Sequence, residues 1–116
     1  MYYCKMIKDI NFDDFSKIDI RVGSIVEAYL NKASKKPAYI FIIDFGPLGI
    51  FKSSAQLTKN YKAENLIGVQ VTAVINLPKK QIGKVMSSCL VLAAVDKDKT
   101  TLLTPSKKVI NGTMVA

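Results

Sequence analysis

Two polar segments rich in lysine hold the side chains best suited to binding a charged ligand. They contain nine candidate residues: Lys52, Ser53, Ser54, Asn76, Lys79, Lys80, Lys84, Ser87 and Ser88. Lysine meets a phosphate as a point charge, while serine and asparagine offer short hydrogen-bonding arms to phosphate, sugar or base edge. Each residue alone also fits an ordinary lysine-rich loop whose serines cap turns. The two segments together indicate a binding site for a phosphate-bearing partner such as a nucleic acid.

Catalytic chemistry has few candidate residues in this sequence. The chain contains no histidine, which removes serine–histidine and cysteine–histidine pairs, histidine-ligated metals and the commonest general base. Gly83-Lys84 is followed by Val85 rather than by serine or threonine, so the motif of a phosphate-binding loop is absent. A hydrolase in which Lys52 activates a neighbouring serine stays open as an alternative. We expect a binding protein that is not an enzyme and that uses no metal and no cofactor.

The two cysteines, Cys4 and Cys89, are far apart and show neither a C-x-x-C motif nor a metal-ligand spacing. Cys89 lies in an apolar run, where a thiol usually behaves as a small hydrophobic group. We expect two reduced, unpaired thiols, and a disulfide between them only if the N-terminus folds back. The start lacks the apolar run of a signal peptide, and no stretch approaches the roughly 18 apolar residues of a membrane span. These features predict a cytoplasmic protein without a membrane segment.

The formal net charge of +8 is distributed unevenly along the chain. Residues 1–30 carry a net charge of −1, residues 31–95 carry nine lysines against two acidic residues, and residues 96–116 add +2. Such a positive middle region favours a polyanionic partner. A lysine surface that only keeps the protein in solution explains the charge alone equally well.

The clearest structural pattern lies in residues 18–30, where thirteen residues alternate between two faces. A strand usually has about five or six residues, so one this long must bend, and Gly23 is the expected place. Residues 38–45 form a second predicted strand that is apolar on both faces. One face can fill a barrel, and the other needs a cover, either a helix or a second subunit. A homodimer is therefore one expectation from this strand.

Further strands are predicted at residues 50–53, 69–76, 89–95 and 101–104, and short helices near residues 14–17, 56–60 and 63–67. This order predicts an all-β fold, a partly open, five-stranded Greek-key barrel of the OB type with short helical insertions. An SH3-like barrel is the alternative. The length allows one domain, which we assign to residues 12–116 after an N-terminal extension of residues 1–11.

Several motifs along the chain belong to one known pattern. They are Phe15-x-x-Ile18-Asp19-Ile20-Arg21-Val22-Gly23-x-Ile25, Ile43-Asp44-Phe45-Gly46, Tyr61-x-x-Glu64-x-Leu66-Ile67-Gly68-x-Gln70-Val71, Val74-Ile75-Asn76-Leu77-Pro78 and Asn111-Gly112-Thr113. In combination they resemble the tRNA-binding domain that occurs alone or appended to methionyl- and phenylalanyl-tRNA synthetases. The resemblance covers roughly residues 12–115 and implies an OB barrel in a homodimer.

Two further segments are similar to the CsaA branch of this family, the export-related chaperones. They are Lys52-Ser53-Ser54-Ala55-Gln56-Leu57-Thr58 and Ser87-Ser88-Cys89-Leu90-Val91-Leu92. This resemblance implies a chaperone that binds unfolded or secretory precursor polypeptides and retains a basic surface capable of binding tRNA or other RNA. The synthetase-type members imply the alternative, a tRNA-binding protein that acts alone or with an aminoacyl-tRNA synthetase.

Within the resemblance, four residues match positions of polar contacts in tRNA-binding members: Asn76, Lys79, Lys80 and Ser87. Arginine is common at the basic turn of those members. Lysine keeps the charge there but lacks the bidentate fork of a guanidinium group. Phosphate binding is therefore expected to contribute more at this turn than specific readout of bases.

Overall fold

The computed structural model describes residues 6–32, 36–82 and 85–116, so Cys4 and the candidate residue Lys84 lie outside the described residues. The strands of the described part are β1 (Ile20–Leu30), β2 (Tyr39–Asp44), β3 (Ile50–Ala55), β4 (Gln70–Val74), β5 (Lys80–Ile82), β6 (Val85–Ser87), β7 (Leu90–Val91), β8 (Ala93–Asp96), β9 (Lys99–Leu102) and β10 (Met114–Val115). One short α-helix, α1 (Phe12–Ser16), precedes them, and 3-10 turns lie at Gly46–Leu48 and Ala63–Asn65.

Five strands form the barrel, in the order β3-β2-β1-β4-β7, and every neighbouring pair is antiparallel. The sheet closes because the segment between β6 and β7 pairs with β3. The backbone amides of Ser88 and Cys89 both donate to the carbonyl of Lys52, at 2.8 and 3.3 Å. The predicted all-β barrel of the OB type is confirmed.

The first strand has an irregularity that the sequence did not indicate. Its pairing with β2 shifts register between Ile25 and Glu27, which places a bulge at Val26. A bulge of this kind adds one residue to its strand and increases the local twist. Gly23 has another role. A Cβ atom at this position would lie 2.7 Å from Ile43 Cγ2 and from the ring of Phe45, so only glycine leaves room for these core side chains.

Both faces of β2 are largely covered within a single chain. Phe41 and Ile43 are fully buried in the barrel core. On the other face, Ala38 just before the strand and Ile40 are buried as well, with 2% and 3% of their surface exposed. The argument that this strand needs a second subunit as its cover is therefore not supported by the structure.

The helical insertions are shorter than the sequence indicates. Helix α1 forms as expected, and the side chain of Asn11 caps it by accepting from the amide of Asp14. The helix predicted at residues 56–60 is wrong: Leu57 is anchored in the core and the chain turns through Thr58, Lys59 and Asn60. Among the described residues, no helix has the length and apolar character to cross a bilayer.

Candidate nucleic-acid interface

The basic turn found in the sequence leads into a short hairpin. Strands β5 and β6 pair antiparallel, with Lys80 opposite Ser87. Lys79 and Lys80 are both exposed at the start of this hairpin. The hairpin is attached to the barrel because the hydroxyl of Ser87 accepts a hydrogen bond from the amide of Ser54, at 3.4 Å.

Lys52 on β3 lies on the other side of the same short segment. Its backbone amide donates to Ser88 Oγ at 3.1 Å, and its carbonyl accepts from the amide of Ser88. Because Lys80 pairs with Ser87, the preceding residue, Lys52 and Lys80 flank the Ser87-Ser88 segment. We call the exposed side chains of Lys52, Lys79 and Lys80 the basic loop surface.

The serine hydroxyls of the predicted site mostly bond to the barrel itself. Ser88 Oγ bonds to both the amide and the carbonyl of Lys52, and Ser87 Oγ bonds to the amide of Ser54 and the carbonyl of Cys89. Ser53 is only 1% exposed and packs towards the interior, so its hydroxyl does not reach the surface. The assignment of Ser53 as a contact residue is therefore corrected. Ser87 and Ser88 hold together the strands that carry the lysines.

The side chain of Asn76 joins the segment after β4 to the segment before β1 by two hydrogen bonds. Its Oδ1 accepts from the amide of Asp19 at 2.9 Å, and its Nδ2 donates to the carbonyl of Lys17 at 2.7 Å. Both ends of the amide are thus engaged, although the side chain is exposed. The structure gives Asn76 a clear intramolecular role, which the sequence pattern had not indicated.

A cavity of about 190 Å³ lies beside the basic loop surface. Leu77, Pro78 and Leu90 form an apolar part of its lining, together with Lys80 and Cys89. Burial raises the pKa of the Cys89 thiol to about 12, so the thiol stays neutral at physiological pH. The buried hydroxyl of Ser53 lies near this thiol, and a thiol is only a weak hydrogen-bond partner. Among the described residues, the Ser53 hydroxyl makes no hydrogen bond of ordinary geometry. The cavity therefore combines an apolar wall, an uncharged thiol and one lysine.

The sequence patterns missed a second group of lysines. Lys36, Lys59 and Lys97 line a separate depression, which we call the lysine cleft. These residues come from three segments that are distant along the chain. No local pattern in the sequence connects the three.

A family model described as "Putative tRNA binding domain" matches residues 20–114. Among curated proteins, the methionine–tRNA ligase of Methanococcoides burtonii is 41% identical over 107 residues, which cover 91% of this chain and 16% of that protein. The chain thus spans about one sixth of the length of the curated relative it matches.

Solved structures of similar length match along their whole chains. The chaperone CsaA of Bacillus anthracis superposes with a TM-score of 0.90 at 41% identity, covering 94% of this chain and 100% of that one. The CsaA chaperone protein of Picrophilus torridus gives a TM-score of 0.88 at 47% identity, covering 93% and 100%. The barrel of this chain therefore has the same fold as these two solved structures.

Proposed function

The chain belongs to the putative tRNA-binding domain family, and from this premise we propose that it binds RNA of the tRNA class through the basic loop surface. One observation carries the proposal. Lys52 and Lys80 lie on either side of the Ser87-Ser88 segment, with Lys79 adjacent, so three exposed ammonium groups occur where the barrel closes. Lysines grouped in this way suit the phosphates of a nucleic-acid backbone.

A titration with a tRNA transcript at several salt concentrations tests this proposal. Each neutralised phosphate contributes roughly 0.7 to 0.9 to the slope of log affinity against log salt. We expect Lys79→Ala/Lys80→Ala to lower the slope by about 1.4 to 1.8 and to weaken different RNA sequences alike. The control is Lys8→Ala/Lys107→Ala, which removes the same charge at two exposed positions outside this surface. Equal slopes for the two double variants would contradict the proposal.

We also propose a chaperone activity of the CsaA kind, in which unfolded or precursor polypeptide binds beside the lysines. The 190 Å³ cavity supports it, because Leu77 and Leu90 line it and are each about half exposed. The end-to-end likeness to two structures named CsaA chaperones supports it further. RNA would meet the lysines, while apolar side chains of a polypeptide would enter the cavity.

A permanently unfolded polypeptide, such as a reduced and alkylated protein, serves as the probe for the second activity. Its affinity should change little with salt, because burying apolar surface releases few counterions. Leu90→Ser should weaken this binding and leave tRNA binding nearly intact, while Leu103→Ser, half exposed elsewhere, serves as the matched control. If only tRNA binds, the chaperone proposal fails and the alternative takes its place, a tRNA-binding protein acting alone or with an aminoacyl-tRNA synthetase.

We propose that the protein works as a homodimer. Its support is the family likeness together with apolar side chains left exposed away from β2, such as Leu48 and Ile110, which line one depression. Sedimentation at micromolar concentration should give about twice the chain mass of 12.8 kDa. Ile110→Asp should shift the mass towards the monomer, and a clean monomer of the unaltered protein would contradict the proposal.

We infer that the chain is a cytoplasmic binding module without catalytic activity of its own. The support is the lack of histidine in the sequence and the raised pKa of the Cys89 thiol, which leaves little thiolate to act as a nucleophile. Reproducible turnover that disappears in Lys52→Ala would favour the hydrolase alternative instead.

A further inference from the structure

The lysine cleft has a volume of about 440 Å³ and opens where three parts of the chain meet. Lys36 lies just ahead of β2, Lys59 lies in the turn after β3, and Lys97 lies in the turn between β8 and β9. All three side chains are exposed. None of them belongs to the basic loop surface.

The walls of this cleft are fixed by hydrogen bonds between distant segments. Asn60 Oδ1 accepts from the amide of Thr100 at 2.8 Å, which joins the turn after β3 to β9. The hydroxyl of Tyr39 donates to the carbonyl of Tyr61 at 2.7 Å, and the hydroxyl of Tyr61 accepts from the amide of Leu102 at 3.0 Å. A cleft held in this way needs little ordering when a ligand binds.

The charged and polar side chains in the lining of the cleft suit a phosphate. Besides the three lysines it includes the polar side chains of Gln56, Thr58, Asn60 and Thr100, together with the apolar Pro37 and Val95. Asp98 is the acidic residue among the described lining residues, so the charged side chains around the cleft have a net charge of +2. A positive, polar and preformed cleft attracts an anion and offers it hydrogen bonds.

The position of the cleft connects it with the basic loop surface. Ser54 lines the cavity beside Lys80, and Gln56 lines the lysine cleft. Two positions along a chain separate Cα atoms by at most about 7.6 Å, since consecutive Cα atoms lie about 3.8 Å apart. One extended ligand that lies across the end of β3 can therefore reach both sites.

We propose that the lysine cleft binds backbone phosphates of the same RNA molecule that the basic loop surface contacts. This inference rests on the proposed RNA binding and names a second contact site for it. The ligand class is a polyphosphate backbone rather than a single anion, because two separate positive sites lie within reach of one strand.

Salt titrations with the tRNA transcript test the cleft directly. We expect Lys36→Ala/Lys59→Ala to lower the slope of log affinity against log salt by about 1.4 to 1.8, because two phosphate contacts are lost. Lys8→Ala/Lys107→Ala again serves as the charge-matched control. Both lysines of the test pair are exposed, so the fold should be retained, and an unchanged circular dichroism spectrum and melting temperature verify this.

A substitution of opposite sign sharpens the test. Asp98→Asn removes the carboxylate of the cleft and should raise tRNA affinity roughly twofold at low salt, the size expected for one charge about 8 Å away in water. Glu64→Gln, which removes an exposed carboxylate outside the cleft, should change the affinity less. Equal effects of the two substitutions would indicate general charge and overturn the inference.

The outcomes separate this inference from the proposed function. If Lys79→Ala/Lys80→Ala lowers the slope but Lys36→Ala/Lys59→Ala behaves like the control, the cleft is not a contact site and RNA binding elsewhere stands. If the unaltered protein binds no tRNA, both proposals fail. If the two double variants lower the slope independently, both sites contact the RNA.

Discussion

The basic loop surface and the lysine cleft each contain three lysines, but they depend on different parts of the structure. The basic loop surface lies on the segment that closes the barrel, where the hydroxyls of Ser87 and Ser88 bond to β3. The lysine cleft is held by side chains that join the turn after β3 to β9, such as Asn60 to Thr100. The lysines of the first surface have a largely apolar cavity beside them, whereas those of the second share their cleft with four uncharged polar side chains and Asp98. An equal number of lysines therefore does not mean an equal range of ligands.

The largest expected difference between the two regions occurs at alkaline pH. The thiol of Cys89, in the cavity of the basic loop surface, has its pKa raised from 9.0 to about 12 by burial. Above pH 9 the unfolded chain loses this proton while the native thiol keeps it, so the unfolded state binds fewer protons and stability falls as pH rises towards 12. The loss from this group reaches at most roughly 4 kcal/mol.

Urea unfolding between pH 8 and pH 11 measures this effect. Cys89→Ala should show a shallower decline than the unaltered protein, because it lacks the thiol that ionises more readily in the unfolded chain. Parallel declines in the two proteins would show that Cys89 is more accessible than its burial indicates.

Closure of the barrel should matter next. Ser87→Ala/Ser88→Ala removes the hydroxyls that bond to the amides of Ser54 and Lys52, and we expect a loss of about 2 to 3 kcal/mol in the free energy of unfolding. Ser106→Ala, at an exposed position, should stay within about 0.5 kcal/mol. Urea unfolding checks both. A double variant as stable as the control would mean that backbone pairing alone closes the barrel.

A smaller loss of stability is expected when a wall of the lysine cleft is changed. Asn60→Ala removes the acceptor of the Thr100 amide and should cost about 1 kcal/mol, the usual size for one exposed or partly exposed hydrogen bond. Asn65→Ala is the control in the neighbouring turn. If Asn60→Ala lowers tRNA affinity while Asn65→Ala does not, the preformed shape of the cleft contributes to binding.

The smallest expected change in stability is at the tip of the β8–β9 turn. Lys97 has a positive φ of 56°, a conformation that asparagine tolerates better than most residues. Lys97→Asn should leave the melting temperature nearly unchanged and lower the salt slope of tRNA binding by about 0.7 to 0.9. Lys99→Asn, with φ in the ordinary range, provides the comparison on the same hairpin. A large fall in melting temperature would show that the side chain of Lys97 supports the turn.

The two regions also differ in how far the sequence could predict them. The residues of the basic loop surface lie in two short segments, so their composition was visible without knowledge of the fold. Lys36, Lys59 and Lys97 meet only after the barrel forms, and no spacing along the chain connects them. Ser53 was assigned wrongly although a signal existed: it shares a strand face with Phe51, and alternate residues of a strand point the same way.

The barrel itself was predictable because alternation and turn residues act locally. The register shift at Val26 was not, because it depends on how β1 pairs with β2. The sequence predicted that the face of Ile40 needs a cover but not that it would be buried within one chain, because an apolar pattern does not show what covers a side chain. The register shift and the cover of Ile40 both depend on contacts between segments that are distant in the sequence.

The hydrogen bonds between Ser87–Cys89 and β3 also affect the tendency of the protein to aggregate at high concentration. A strand with unpaired amides and carbonyls can add a strand from another molecule, which is how many sheets begin to aggregate. In this protein the backbone of Lys52 is already bonded to Ser88 and Cys89, and the exposed side chain of Lys52 itself discourages pairing with another chain. The segment that places the basic side chains therefore also protects the fold against intermolecular strand addition.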